Sequence, residues 1–302
     1  MTQGTSTLRR KRFSVTPIVL LMPALIFLVG LSGYPIVRLF INSFQTYGRA
    51  QLMGAPAPWV GWRNYVSILT SSSFLHVALR SFLFMVVAVT LTIVLGTLIS
   101  ILMTKLPRFF RLLTTVGLLL AWAMPALTAT IVFGWMLDTD YGVINYLLTK
   151  ITGHDWIGHQ WLLNPVSFYA VLAMIIVWQG IPFVAFTVYA AMTGISGEVI
   201  EAAQIDQAGP IKRFFLIELP YIRPVLTVLI VLSVIWDLRV FAQVYALQGI
   251  GGIAEQTSTL GVWIYQQGSS NVGLSSAAAV IMLLIMLIIS VAYVRQTLSE
   301  GD

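Results

Sequence analysis

Six stretches of the chain are each long and apolar enough to cross a bilayer as a helix, and this most limits what it can fold into. A hydrocarbon core about 30 Å thick takes roughly 20 helical residues. The runs lie near 18–41, 80–104, 112–137, 166–192, 223–247 and 274–294. Only 9% of the 302 residues are charged, against about a quarter in an ordinary soluble domain. Too little polar surface remains to clothe a domain in water, so the bilayer is the solvent that selects the fold. The expected class is an all-α membrane protein of six transmembrane helices.

Charge placement then orients the helices. With an even number of spans, both termini share one side. Lys and Arg near the termini and in loops 2–3 and 4–5 number 11: Arg9, Arg10, Lys11, Arg12, Lys105, Arg108, Arg111, Lys212, Arg213, Arg223 and Arg295. The opposite side carries 6 of the 17. Both termini are therefore expected in the cytoplasm, with residues 1–17 a basic tail, 18–294 the membrane domain and 295–302 a second tail. The net charge of +6 reports this orientation rather than nucleic-acid binding. The N-terminal basic cluster before an apolar run looks like a secretory or twin-arginine leader, but no convincing cleavage site follows, so the run is read as a retained first span. Interfacial aromatics such as Trp59, Trp62, Tyr141, Trp156 and Trp161 would form a belt on the outer side.

Several chemistries are excluded. Cysteine is absent, and the three histidines, His76, His154 and His159, lack metal-ligand spacing. No GxxxxGK[ST] phosphate loop occurs, so the chain has no usual means of binding ATP. An intramembrane enzyme would need paired carboxylates or a serine–base arrangement at one depth, and none is visible.

A charged island, EAAQIDQAGPIKRFFLIELP at 201–220, interrupts this apolar chain. The surrounding loop, 193–222, is too short for a domain and reads as a contact element. Ser196 and Glu198 suit a helix start. Gly209-Pro210 ends that helix, and Pro210 opens a second whose apolar face is Ile211, Phe214, Phe215 and Ile217. The expected product is a short helical hairpin on the membrane surface. A solvated amphipathic connector is the alternative.

The island resembles the EAA loop of permease subunits in type I ATP-binding-cassette carbohydrate importers. Glu201, Ala202, Ala203, Asp206, Ala208, Ile217, Leu219 and Pro220 match its pattern; Gln207 replaces the usual glycine, and Gly209 follows two residues later. WVGWRNYVSIL at 59–69, WQGIPF at 178–183 and GLSSAAAVIMLL near the C-terminus are similar to the family's corresponding segments. The resemblance implies a coupling helix that docks in a groove of a separate ATPase subunit. It also implies a second homologous permease subunit, two ATPase subunits that hold ATP and Mg, and an extracytoplasmic substrate-binding protein, in a plasma (inner) membrane complex. The implied cargo is a carbohydrate, a disaccharide such as trehalose; another polar solute, such as a glycerol phosphate, is the alternative. Glu201, Ala202, Ala203, Asp206, Gly209, Leu219 and Pro220 are the coupling candidates.

Candidate substrate contacts come from polar and aromatic residues inside spans. Ionisable groups there default to functional candidates. Asp237 and Arg239 read either as partners for sugar hydroxyls or as an interhelical salt bridge or a snorkelling arginine. Ser233 shares the face of Asp237, and Gln243 follows six residues on. Trp122, Trp178 and Trp236 read first as helix-packing residues and otherwise as platforms for pyranose faces. Gln179, Gly180 and Phe183 would line the fourth span beside a break at Gly180 and Pro182; breaks there and at Pro23, Pro35 and Pro125 mark either a pathway or packing kinks. The glycine-rich QGIGGIAEQTST at 248–259 is expected to flex into a partner's cleft.

Overall fold

A computed structural model describes residues 16–299; the basic cluster Arg9–Arg12 and the last residues of the C-terminal tail lie outside the described residues. The described chain is helical, with two isolated β-bridges, Gln45 with Trp59 and Gly48 with Asn271. Five helical stretches are long and apolar enough to cross a membrane, and a bent pair makes a sixth. The first crossing consists of α1 (Thr16–Leu28), a π-helical turn Val29–Gly33 and α2 (Tyr34–Ser43). It is followed by α3 (Ser72–Lys105), the bent pair α4 (Arg108–Ala123) and α5 (Ala126–Met136), and α6 (Pro165–Thr193). The loop after α6 carries α7 (Gly197–Ile205), and α8 (Leu219–Leu238) leads away from it. Two shorter helices, α9 (Ala242–Ile250) and α10 (Leu260–Gly268), precede α11 (Val272–Ser299).

The helix breaks follow from proline chemistry. Proline lacks an N–H, so the carbonyl four residues before it loses its partner. Both π-helical turns, Val29–Gly33 and Phe214–Glu218, end two residues ahead of a proline, Pro35 and Pro220. In the second, the Leu219 N–H reaches back five residues to the Phe214 carbonyl, so the wider turn re-pairs the backbone just before the proline. At Met124-Pro125 the helix does not re-pair, and α4 and α5 meet at 101°. The expected straight third span over 112–137 is thus a sharply bent pair. By contrast, no break occurs in the fourth span: α6 runs unbroken through Gly180 and Pro182.

The centre of the molecule is the α3–α6 pair. A Cβ placed on Gly96 would lie 2.6 Å from the Val184 side chain, and one on Gly180 would lie 2.8 Å from Thr92 Cγ2. Gly180 therefore brings two backbones together rather than opening the helix, as small residues do where helices pack without a hydrophobic driving force. Phe84, Phe168, Leu172, Ile175, Val244 and Val262 fill one core around this pair, and Val184, Val188, Ile222 and Leu229 fill a second towards α7. A third joins α3 to α11 and the first crossing through Val77, Met85, Ala277 and Met282. The fifth crossing differs most from expectation. It is a continuous helical stretch over Pro210–Leu238, one part of it π-helical, and it ends at Arg239–Phe241 rather than continuing to 247.

Candidate functional site: the EAA segment and the polar residues of the spans

The EAA residues occupy one compact element. Helix α7 starts at Gly197, directly after Ser196 as expected, and places Glu198 in its first turn, where a carboxylate complements the free amides. It ends in a left-handed turn. Gln207 has φ of +54°, and the Ala208 N–H donates to the Ala203 carbonyl at 3.0 Å. This six-to-one bond with a left-handed residue between is a Schellman stop, in which glycine is the usual left-handed residue. The family's glycine is thereby explained, and so is its substitution: Gln207 takes the same conformation at a steric cost. Gly209, in contrast, has φ of −58° and open space where a Cβ would sit, so its conformation suits other residues too.

Burial sorts these side chains. Ala203 is buried, whereas Glu201, Ala202 and Asp206 are exposed. One small residue seats the helix on its own chain, and the face beside it presents a carboxylate and a methyl group to the outside. The second arm of the expected hairpin is not a separate surface helix. Pro210–Arg213 passes through the π turn directly into α8, so Leu219, half-buried, and Pro220, exposed, sit at the root of the fifth crossing. Arg213 Nε donates to Glu218 Oε1 at 2.8 Å, and Glu218 is buried, which fixes this arm. Tyr221 Oη donates to the Gly194 carbonyl at 3.0 Å, tying the start of α8 to the end of α6. α7 is thus connected through the chain to two crossings whose near ends are bonded to each other. Sequence reasoning singled out neither Glu218 nor Tyr221.

The proposed span residues do not form one cluster. Gln179 Nε2 donates to the Met124 carbonyl at 3.2 Å, at the α4–α5 bend, so it satisfies backbone there. Trp178 stacks edge-on to Phe133 at 5.5 Å, across the same bend. Phe183 and Trp236 face each other at 5.3 Å, joining α6 to α8. Trp122 is exposed. Ser233 is buried on α8. Asp237 is the penultimate residue of α8 and Arg239 caps it, so both lie at the end of the crossing rather than its middle. They do not pair: the ion pair found among the described residues is Arg213–Glu218. Gln243 sits beyond the break, on α9.

The glycine-rich segment after α9 also departs from expectation. A Cβ on Gly252 would lie 2.5 Å from Phe168. Gln248 Nε2 donates to Thr257 Oγ1 at 3.1 Å and Ser258 Oγ at 3.2 Å, and Tyr169 Oη donates to the Thr257 carbonyl at 3.0 Å. The segment is pinned against α6, not a free tether.

A model of binding-protein-dependent transport system inner membrane components matches residues 93–297. The chain belongs to that family. The permease is 39% identical over 291 residues to the diacetylchitobiose uptake system permease protein of Streptomyces coelicolor, covering 96% of this chain and 88% of that one. It is 30% identical over 280 residues to the sulfoquinovosyl glycerol transport system permease protein of Agrobacterium fabrum, covering 92% and 89%. In fold it is similar to a chain of a bacterial importer of the acidic polysaccharide alginate, with a TM-score of 0.76, 19% identity and coverage of 93% and 95%. The family recognised from the EAA segment is the one these comparisons return. The permease is a multi-pass membrane transport subunit with the type I importer fold, and it is not an enzyme.

Proposed function

We propose that this permease carries a disaccharide across the plasma membrane as one half of an alternating-access pathway, driven by ATPase subunits that dock on α7. The carrying observation is the division of labour within α7. Ala203 anchors the helix while Glu201 and Ala202 stay exposed, on an element that stands in the chain between α6 and α8, whose near ends are tied together by the Tyr221–Gly194 hydrogen bond. Small residues permit close approach, and a carboxylate supplies a charge-assisted contact to a basic partner surface. ATP and Mg belong on the partner chains. A second permease subunit completes the pathway, and an extracytoplasmic binding protein delivers the cargo, as the family description implies. Both termini face the cytoplasm on the count of basic residues.

The cargo reading draws on relatives whose names specify diacetylchitobiose and, at 30% identity over 240 residues, trehalose/maltose. Trehalose and diacetylchitobiose are the first sugars to try; a relative named for sn-glycerol-3-phosphate, 30% identical over 292 residues, keeps a phosphate ester as the competing solute. Co-expression with the genes of its own operon, followed by sugar-stimulated ATP hydrolysis in lipid, tests partner and cargo together. In that assembly Glu201→Lys is expected to leave the crossings inserted and abolish uptake while ATP hydrolysis persists. Uptake at the parental rate would refute the docking role of α7.

A further inference from the structure

An aromatic triad that plays no part in the coupling element lies beyond the end of α8. Phe241 and Tyr245 stack at 5.5 Å with an interplanar angle of 15°, and Tyr265 meets them edge-on at 5.2 and 5.4 Å. Together with Gln266, Ser269 and Ser275 these rings line a cavity of about 920 Å³ between α9 and α10. Its floor is the break after α8: a Cβ on Gly261 would lie 3.2 Å from the Val240 carbonyl and 3.7 Å from that of Arg239. Tyr245 and Tyr265 are 48% and 57% exposed, so two large aromatic faces remain uncovered. Among the described residues neither phenol hydroxyl has a hydrogen-bond partner. The Gln266 side chain makes only long contacts, at 3.3 Å with Ser258 Oγ and 3.5 Å with Gln248 Oε1.

We propose that this cavity is an entry platform for an uncharged disaccharide, at the end of the permease opposite α7. The inference rests on the carbohydrate reading and extends it to a specific site. Uncovered ring faces that carry the two free phenol hydroxyls match the alternation of C–H faces and hydroxyl rims on a pyranose, whereas lipid chains or a purely apolar helix would leave those hydroxyls unpaired. The cavity falls within the size range of small-molecule sites. Its lining contains no Asp, Glu, Lys or Arg, which favours a neutral ligand over a phosphate ester. The platform is also held in shape before any ligand arrives, because Gln248, Thr257, Ser258 and Tyr169 bond the segment joining α9 to α10.

The test is concentration-dependent uptake of labelled diacetylchitobiose and trehalose into vesicles holding the complete importer. Tyr245→Ala and Tyr265→Ala are expected to raise the half-saturating concentration about tenfold, the equivalent of one lost stacking contact, with little change in maximal rate. Tyr265→Phe, which keeps the ring and removes only the hydroxyl, is expected to raise it by less than Tyr265→Ala does. Unchanged half-saturation in both alanine variants overturns the platform while leaving the cargo reading intact. Loss of the second permease subunit on purification of those variants also overturns it, by assigning the triad to subunit packing. Absence of saturable sugar uptake by the parental importer is a different failure, that of the carbohydrate reading itself.

Discussion

Gln207 shows how a single backbone conformation can be retained after its natural residue is lost. Left-handed φ costs a residue with a Cβ about 1–2 kcal/mol, offset in part by the greater unfolded-state freedom of glycine. Gln207→Gly is therefore expected to stabilise the α7 stop by up to about 1 kcal/mol, read as slower amide exchange at Ala208 in the purified protein. A slower-folding or destabilised variant would contradict the Schellman assignment. At this scale the sequence was informative about the coupling element, since Glu201, Ala202 and Ala203 stand in one short pattern. It was much less so for the span residues. Gln179 looked like a cargo contact but serves a carbonyl 55 positions earlier, and no local pattern reveals a partner that far away.

Whole helices were visible as apolar runs because the bilayer demands them, while the places where they bend were not. Pro125 produces a bend of 101°, whereas Pro182 leaves α6 unbroken. The difference lies in what surrounds each proline. The Met124 carbonyl accepts from the Gln179 amide on α6, whereas Pro182 is buried in a helix clamped against α3. Gly96→Val would drive methyl groups into Val184, with which even a Cβ would sit at 2.6 Å, and is expected to destabilise the α3–α6 pair by about 1–3 kcal/mol. A lower unfolding temperature in detergent would show it, and Gly117→Val, at a position with open space around the Cβ, should change little.

The molecule as a whole leaves the N-terminal part of its first crossing, Val19 to Val37, largely uncovered. Within the window from Val19 the share of buried residues is 0%, against 56% for α6. A membrane-restricted photoreactive probe applied to the isolated chain in lipid is accordingly expected to label Val19–Val37 far more heavily than Val171–Val177; equal labelling would mean that the first crossing packs on its own chain. The sequence by itself determined that this is a helical membrane protein, where its apolar runs lie, and which short charged segment interrupts them. These follow from local composition, because the solvent imposes one rule on every residue in turn. Only the tertiary structure decided that the fifth crossing stops at Leu238, that Asp237 and Arg239 stand apart, and that Phe241, Tyr245 and Tyr265 share one cavity. Those facts depend on which helices approach closely enough to exchange contacts, and close approach is settled by packing between segments far apart in the chain.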